Sequence, residues 1–132
     1  PQYAARDVEY HFDPDNAWIS MELADAYPER LVHSYRRHVQ MEQGCGISIT
    51  DRADCWPLTP VLSLITYEEP IWEPDRRHLI IGQLGRVCVE GAAEVSLERL
   101  SVTDKRLQTA WKHDIWRVLI SFQAQIRLRI LP

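Results

Sequence analysis

The strongest pattern in the chain lies near its end. Trp116, Val118, Ile120, Phe122, Ala124, Ile126, Leu128 and Ile130 all fall on even positions. Between Arg117 and Arg129 the odd positions are polar or charged except for Leu119. An apolar residue at every second position lines one face of a strand, whereas a helix would scatter these side chains around its circumference. The predicted strand is about 15 residues long, or roughly 50 Å when extended. Most strands have about five or six residues. Such a strand must bend through a bulge, pair with several partners in turn, or project from the body.

The same alternation marks a strand over residues 6–12, where Val8, Tyr10 and Phe12 are interleaved with Asp7, Glu9 and His11. Asp13-Pro14-Asp15-Asn16 then supplies a turn and a helix cap. A short helix is expected over 17–26, with Trp18 inward. A second helix, with Pro28 in its first turn, should run to about Gln43. At 100° per residue Leu31, Val32, Tyr35 and Val39 form one stripe, while Arg30, His33, Arg37 and Gln40 fall away from it. Gly44 and Gly46 are stop signals.

Short strands are predicted at Ile47–Thr50, Val61–Tyr67, His78–Ile81, Arg86–Glu90 and Ala93–Val102. Gly82, Gly85 and Gly91 punctuate the later ones as tight turns. Thr103-Asp104 reads as a helix start, and the helix that follows would turn Leu107, Ala110 and Trp111 inward. The predicted fold class is α+β in one domain over 1–132. It has an antiparallel or mixed sheet of roughly five to seven strands, two or three helices on one face, and a long C-terminal strand.

Composition narrows the function classes. With 45% hydrophobic and 26% charged residues among 132, the chain is ordinary globular protein. The net charge of −4 disfavours generic nucleic-acid binding. It is uneven: residues 1–98 carry 8 basic and 17 acidic side chains, net −9, and residues 99–132 carry 7 and 2, net +5. No apolar run has the roughly 18–20 residues a membrane span needs. Arg6, Asp7 and Glu9 interrupt any signal-peptide pattern at the start. Cys45, Cys55 and Cys88 are too few and wrongly spaced for a disulfide framework or a zinc site. The expectation is a cytoplasmic or otherwise intracellular protein without membrane contact, metal or cofactor.

No phosphate-loop, dinucleotide, zinc-protease or nucleophile-elbow signature occurs. His33 and His38 are five apart, which is not a chelating spacing on a helix. Asp51, Asp54 and Cys55 fall in a predicted loop, where a thiol and two carboxylates could act on a substrate or, more simply, serve as turn and cap residues beside Trp56. His113-Asp114 precedes the long strand, where Asp114 is expected to close the helix.

The function expected is non-enzymatic protein binding, as an assembly subunit, adaptor or inhibitor. The overlong strand and the loop elements Trp56-Pro57 and Trp72-Glu73-Pro74 would form the interface. Arg117, Arg127 and Arg129 line the strand's polar face, ready for carboxylate partners. The partner is a protein, with a second copy of the chain as the simplest case. One alternative is a small-molecule or enzymatic pocket between helices and sheet, with His38, Asp54, His78 and Asp114 as its polar groups. Another is an acidic inhibitor or immunity-type protein that captures a basic partner.

Overall fold

The structure, a computed structural model, describes residues 4–27, 32–83 and 85–131. It is almost entirely β. Among the described residues nine strands join in one antiparallel sheet: β1 Arg6–Phe12, β2 Asn16–Glu22, β3 Ser34–Glu42, β4 Gly46–Asp54, β5 Val61–Thr66, β6 Pro70–Trp72, β7 His78–Ile81, β8 Gly85–Leu100 and β9 Ile115–Leu131. The described helical residues are a single 3-10 turn, Ala24–Ala26, and the four-residue α1, Leu107–Ala110.

The α+β expectation is therefore overturned. Residues 16–22, assigned to the first helix, are β2, and the second expected helix is β3 over its described part. Pro28, Arg30 and Leu31 lie outside the described residues. The third helix shrinks to α1, with Leu107 exposed instead of inward. The reason is local. On β3, Tyr35, Arg37, Val39 and Met41 share one face, and Arg37 breaks an otherwise apolar alternation. Its guanidinium is paired with the fully buried carboxylate of Asp51, so a charge sits where a strand pattern calls for an apolar residue. On β2, Ala17, Ile19 and Met21 form the apolar face, and Trp18 lies on the other one, opposite Gln40. Asp51 and Asp54 belong to β4, not to a loop.

The strands are ordered β1-β2-β3-β4-β9-β8-β7-β6. The long strand β9 is internal. One edge pairs with β8 from Ile115 to Leu131, and the other pairs first with β5 over Trp116–Ser121 and then with β4 over Gln125–Ile130. Pairing with β8 shifts register between Glu90 and Glu94. Gly91 sits at that irregularity with φ +89, where an added Cβ would lie 2.5 Å from the Gln125 carbonyl oxygen. Gly91 is thus a bend inside one continuous strand, not the tight turn its sequence context suggests.

With almost no helix among the described residues, the sheet supplies its own core. Phe122, Ile120 and Val118 from one half of β9 share a cluster with Ile126 and Leu128 from the other half. Leu62 of β5, Leu79 of β7, and Val87 and Val89 of β8 complete it. Burial of side chains of this size contributes roughly 1.5–3 kcal/mol each, and this cluster is where the fold's stability is concentrated.

Candidate functional site

The two faces of the large sheet differ in chemistry, and register shows how each is built. The apolar face carries two rows. One runs Tyr10, Ile19, Val39, Ile49, Leu128, Val89, and the other Phe12, Ala17, Met41, Ile47, Ile130, Val87. Along the first row burial falls from β8 towards β1; along the second, Val87 is buried, Ile130 and Ile47 are each 37% exposed, and Ala17 is half-buried before the row ends at Phe12. Val89, Leu128 and Val87 are buried, Ile19, Val39 and Ile49 are half-buried, and Met41, Tyr10 and Phe12 are 52%, 77% and 78% exposed. The core cover ends before the sheet does. A cleft of about 610 Å³ opens at this uncovered end, lined by Phe12, Ala17, Met41, Ile47 and Ile130 and rimmed by the β1–β2 and β3–β4 turns. In the first turn the Asp13 carboxylate binds the N–H groups of Asp15 and Asn16 and faces His11 at 2.7 Å. The His11 contact and those two N–H groups hold Asp13 below the usual carboxylate range.

The polar face carries two adjacent rows. One is His11, Trp18, Gln40, Ser48, Arg129, Cys88, His78, and the other is Glu9, Ser20, His38, Thr50, Arg127, Glu90. Neighbours along a row stand about 4.8 Å apart, and the rows are separated by about 6.6 Å. The Trp18 ring lies between two imidazoles, His11 at 6.4 Å and His38 at 5.6 Å between ring centroids. Gln40 donates its amide hydrogens to Asn16 and Glu42. Arg129 reaches Glu90 at 3.3 Å. Among the described residues Arg127 forms no ion pair or side-chain hydrogen bond. A groove of about 280 Å³ runs past Gln40, Glu42, Ser48, Arg127 and Arg129.

The residues singled out from sequence therefore separate. Arg127, Arg129, His38 and His78 share this polar face. Arg117 sits on the other half of β9, bound to Glu98 at 2.6 Å. Trp56 stands 81% exposed, whereas Trp72 is packed against the core. Asp54 is exposed beside His33 at 3.8 Å. Asp114 accepts from Arg99 Nε at 2.9 Å and from the Val102 N–H at 3.2 Å, closing the β8–β9 connection. His38, Asp54, His78 and Asp114 are not gathered into one pocket, and the helices meant to wall it are strands. Burial, and then the Asp54 charge, push the Cys55 thiol up, which keeps it protonated rather than nucleophilic.

Two carboxylates are buried: Glu22, which the sequence does not single out, and Asp51, which the sequence pattern predicts in a loop. Asp51 accepts from Arg37 Nε at 2.7 Å, Arg37 Nη2 at 2.6 Å and the Tyr35 hydroxyl at 2.8 Å. Desolvation, then the Asp51 charge, raises the Tyr35 phenol well above its ordinary value. Glu22 accepts from Ser34 Oγ at 2.7 Å and from the N–H groups of Tyr35 at 2.6 Å and Ala24 at 3.0 Å. Both carboxylates are fully engaged in holding β2, β3 and β4 together. Glu73, Asp75 and His78 bring three metal-type donor atoms within 4.8 Å of one another. Asp75 there also binds the N–H groups of Arg77 and His78, so the group closes the β6–β7 turn by itself.

No protein-family model matches the chain, and no curated protein matches it. Solved structures do. Heparan sulfate lyase HepC from Pedobacter heparinus and a mutant of it each match 96% of this chain at a TM-score of 0.59 and 12% identity. A structure of heparinase III matches 98% at a TM-score of 0.54 and 13% identity. At that identity the likeness is one of fold. The chain spans about a fifth of those proteins, 22% and 21% of their length. No described helix is long and apolar enough to cross a membrane.

Proposed function

We propose that the chain is a non-enzymatic interaction module that docks onto a protein surface through the uncovered apolar end of its large sheet. The observation that carries this reading is the exposure of the β1 end of the two apolar rows. Tyr10, Phe12 and Met41 continue a core face into solvent, and a contiguous apolar patch of this kind marks a contact surface. Covering each of those side chains contributes roughly 1.5–3 kcal/mol. The comparisons lend support. In the matched proteins, described as heparan sulfate lyases and a heparinase, this fold accounts for only about a fifth of the chain, so there it accompanies a much larger body. A role beside such a polysaccharide lyase is the setting these matches favour. The contact differs from one made by β9, whose edges are both filled. Alone in solution, the module meets copies of itself.

Light scattering across a concentration series tests the proposal. The wild-type mass should rise above the monomer, alike at low and high salt, because the contact is apolar. Tyr10→Ser/Phe12→Ser should stay monomeric with an unchanged circular dichroism spectrum. A wild type that stays monomeric throughout, or a variant that associates equally well, overturns it.

A further inference from the structure

We infer that the polar face of β2, β3, β4 and β9 binds an acidic saccharide chain, with Arg127 and Arg129 receiving its carboxylate groups. This face is separate from the apolar end, and the inference does not depend on the docking role. Register places Ser20, His38, Thr50 and Arg127 in one row and Trp18, Gln40, Ser48 and Arg129 in the next. These eight side chains are all polar or carry an N–H, and none is a carboxylate. Carboxylates stand at the borders of this grid, Glu90 opposite Arg127 on β8 and Glu42 beside Gln40, while its interior is polar and carries the two arginines.

The details fit a sugar. Arg127 forms no ion pair among the described residues although Glu90 stands opposite it in register, and Arg129 reaches that same exposed glutamate at 3.3 Å, a contact that a ligand can replace. The two guanidinium groups leave the same strand two residues apart, about 6.6 Å at the backbone. They can therefore take one acid group in a fork or two successive ones. Gln40 spends its amide hydrogens on Asn16 and Glu42, which leaves its carbonyl oxygen to accept from a sugar hydroxyl. Ser48 and Thr50 can both donate and accept, as a ribbon of hydroxyls requires. An acidic peptide suits the face less well, since the grid offers no apolar hollow for peptide side chains. Nucleic acid is disfavoured by the net charge of −4.

The test is calorimetric titration of the whole chain with hexagalacturonate, beside neutral maltohexaose and a single-stranded thymidine dodecamer. Hexagalacturonate should bind and maltohexaose should not, and Arg127→Gln/Arg129→Gln should weaken the acidic sugar about tenfold or more. Both arginines are exposed, and an unchanged melting temperature confirms that the variant is folded. Should it not fold, Ser48→Ala/Thr50→Val gives a second measurement, with about a threefold loss expected. Absence of hexagalacturonate binding at millimolar sugar, equal binding by folded variant and wild type, or tighter binding of the thymidine dodecamer each overturns the inference. Because this readout is sugar binding, its failure is distinct from a failure of the docking role, which is read as mass.

Discussion

Asp51→Asn removes one charge from the interior and changes almost nothing else in shape. The native carboxylate is fully buried on the apolar face of β4 and takes three hydrogen bonds, two from Arg37 and one from Tyr35. The variant leaves the Arg37 guanidinium without its counter-charge and turns an amide N–H₂ towards donors. Removing one partner of a buried pair typically costs about 3–5 kcal/mol. The Arg37 side chain is 30% exposed, so water relieves part of the loss, and about 2–4 kcal/mol is expected. Against a total of about 5–15 kcal/mol for a domain of this size, that is a large fraction. In urea, with a slope of about 1–3 kcal/mol per molar, the midpoint should fall by about 1–2 M. Arg37→Met/Asp51→Leu should recover most of the loss, since an apolar pair of similar volume suits the same face. A single variant within about 0.5 kcal/mol of wild type, or a double variant less stable than the single, would refute the argument.

Three more outcomes follow from the same structure. Burial alone would raise Glu22, but hydrogen bonds from Ser34, Tyr35 and Ala24 outweigh it and hold the carboxyl below its ordinary value. Its stabilisation is therefore present above the unfolded pKa of about 4.3 and is lost as pH falls through the folded value, so Glu22→Gln should flatten thermal stability against pH below about pH 4.5. Gly91→Ala forces a Cβ to 2.5 Å from the Gln125 carbonyl oxygen at φ +89 and should destabilise by about 2–4 kcal/mol in chemical denaturation. Gly44→Ala, with open space around it, should lose only about 1–2 kcal/mol. Phe122→Ala in the core should cost about 3–5 kcal/mol, whereas Phe12→Ser at the uncovered end should change stability by less than about 0.5 kcal/mol.

The strand at residues 115–131 was legible because its alternation is clean: a residue paired on both edges and packed on one face has no reason to break period two. β2 and β3 were not legible, and the cause is specific. Arg37 stands on the apolar face because Asp51 lies buried beneath it, and Trp18 stands on the polar face between two imidazoles. Each places the wrong polarity on its face, and the residues that remain, such as Tyr35 and Val39, suit a helical stripe as well as a strand. Gly91 misled in a similar way, since a glycine inside a strand and a glycine between strands look alike until the partner's register is known. The candidate site was partly legible. Arg127, Arg129, His38 and His78 were named from sequence, but only the cross-strand register places them on one face with Ser48, Thr50 and Gln40. No sequence signal marks where the cover over an apolar face ends, so the exposure of Tyr10, Phe12 and Met41 had to come from the fold.

The most direct test of the docking surface is site-specific photo-crosslinking of the purified chain. A p-benzoylphenylalanine is placed at position 12 in one protein and at position 65 in another. Phe12 and Ile65 are both exposed apolar side chains, but Ile65 lies on the outer face of β5, away from the uncovered sheet end. Cross-linked dimer from position 12 and little or none from position 65 is the predicted result. Equal yields from the two positions, or none from position 12, would contradict the assignment of that end as the docking surface.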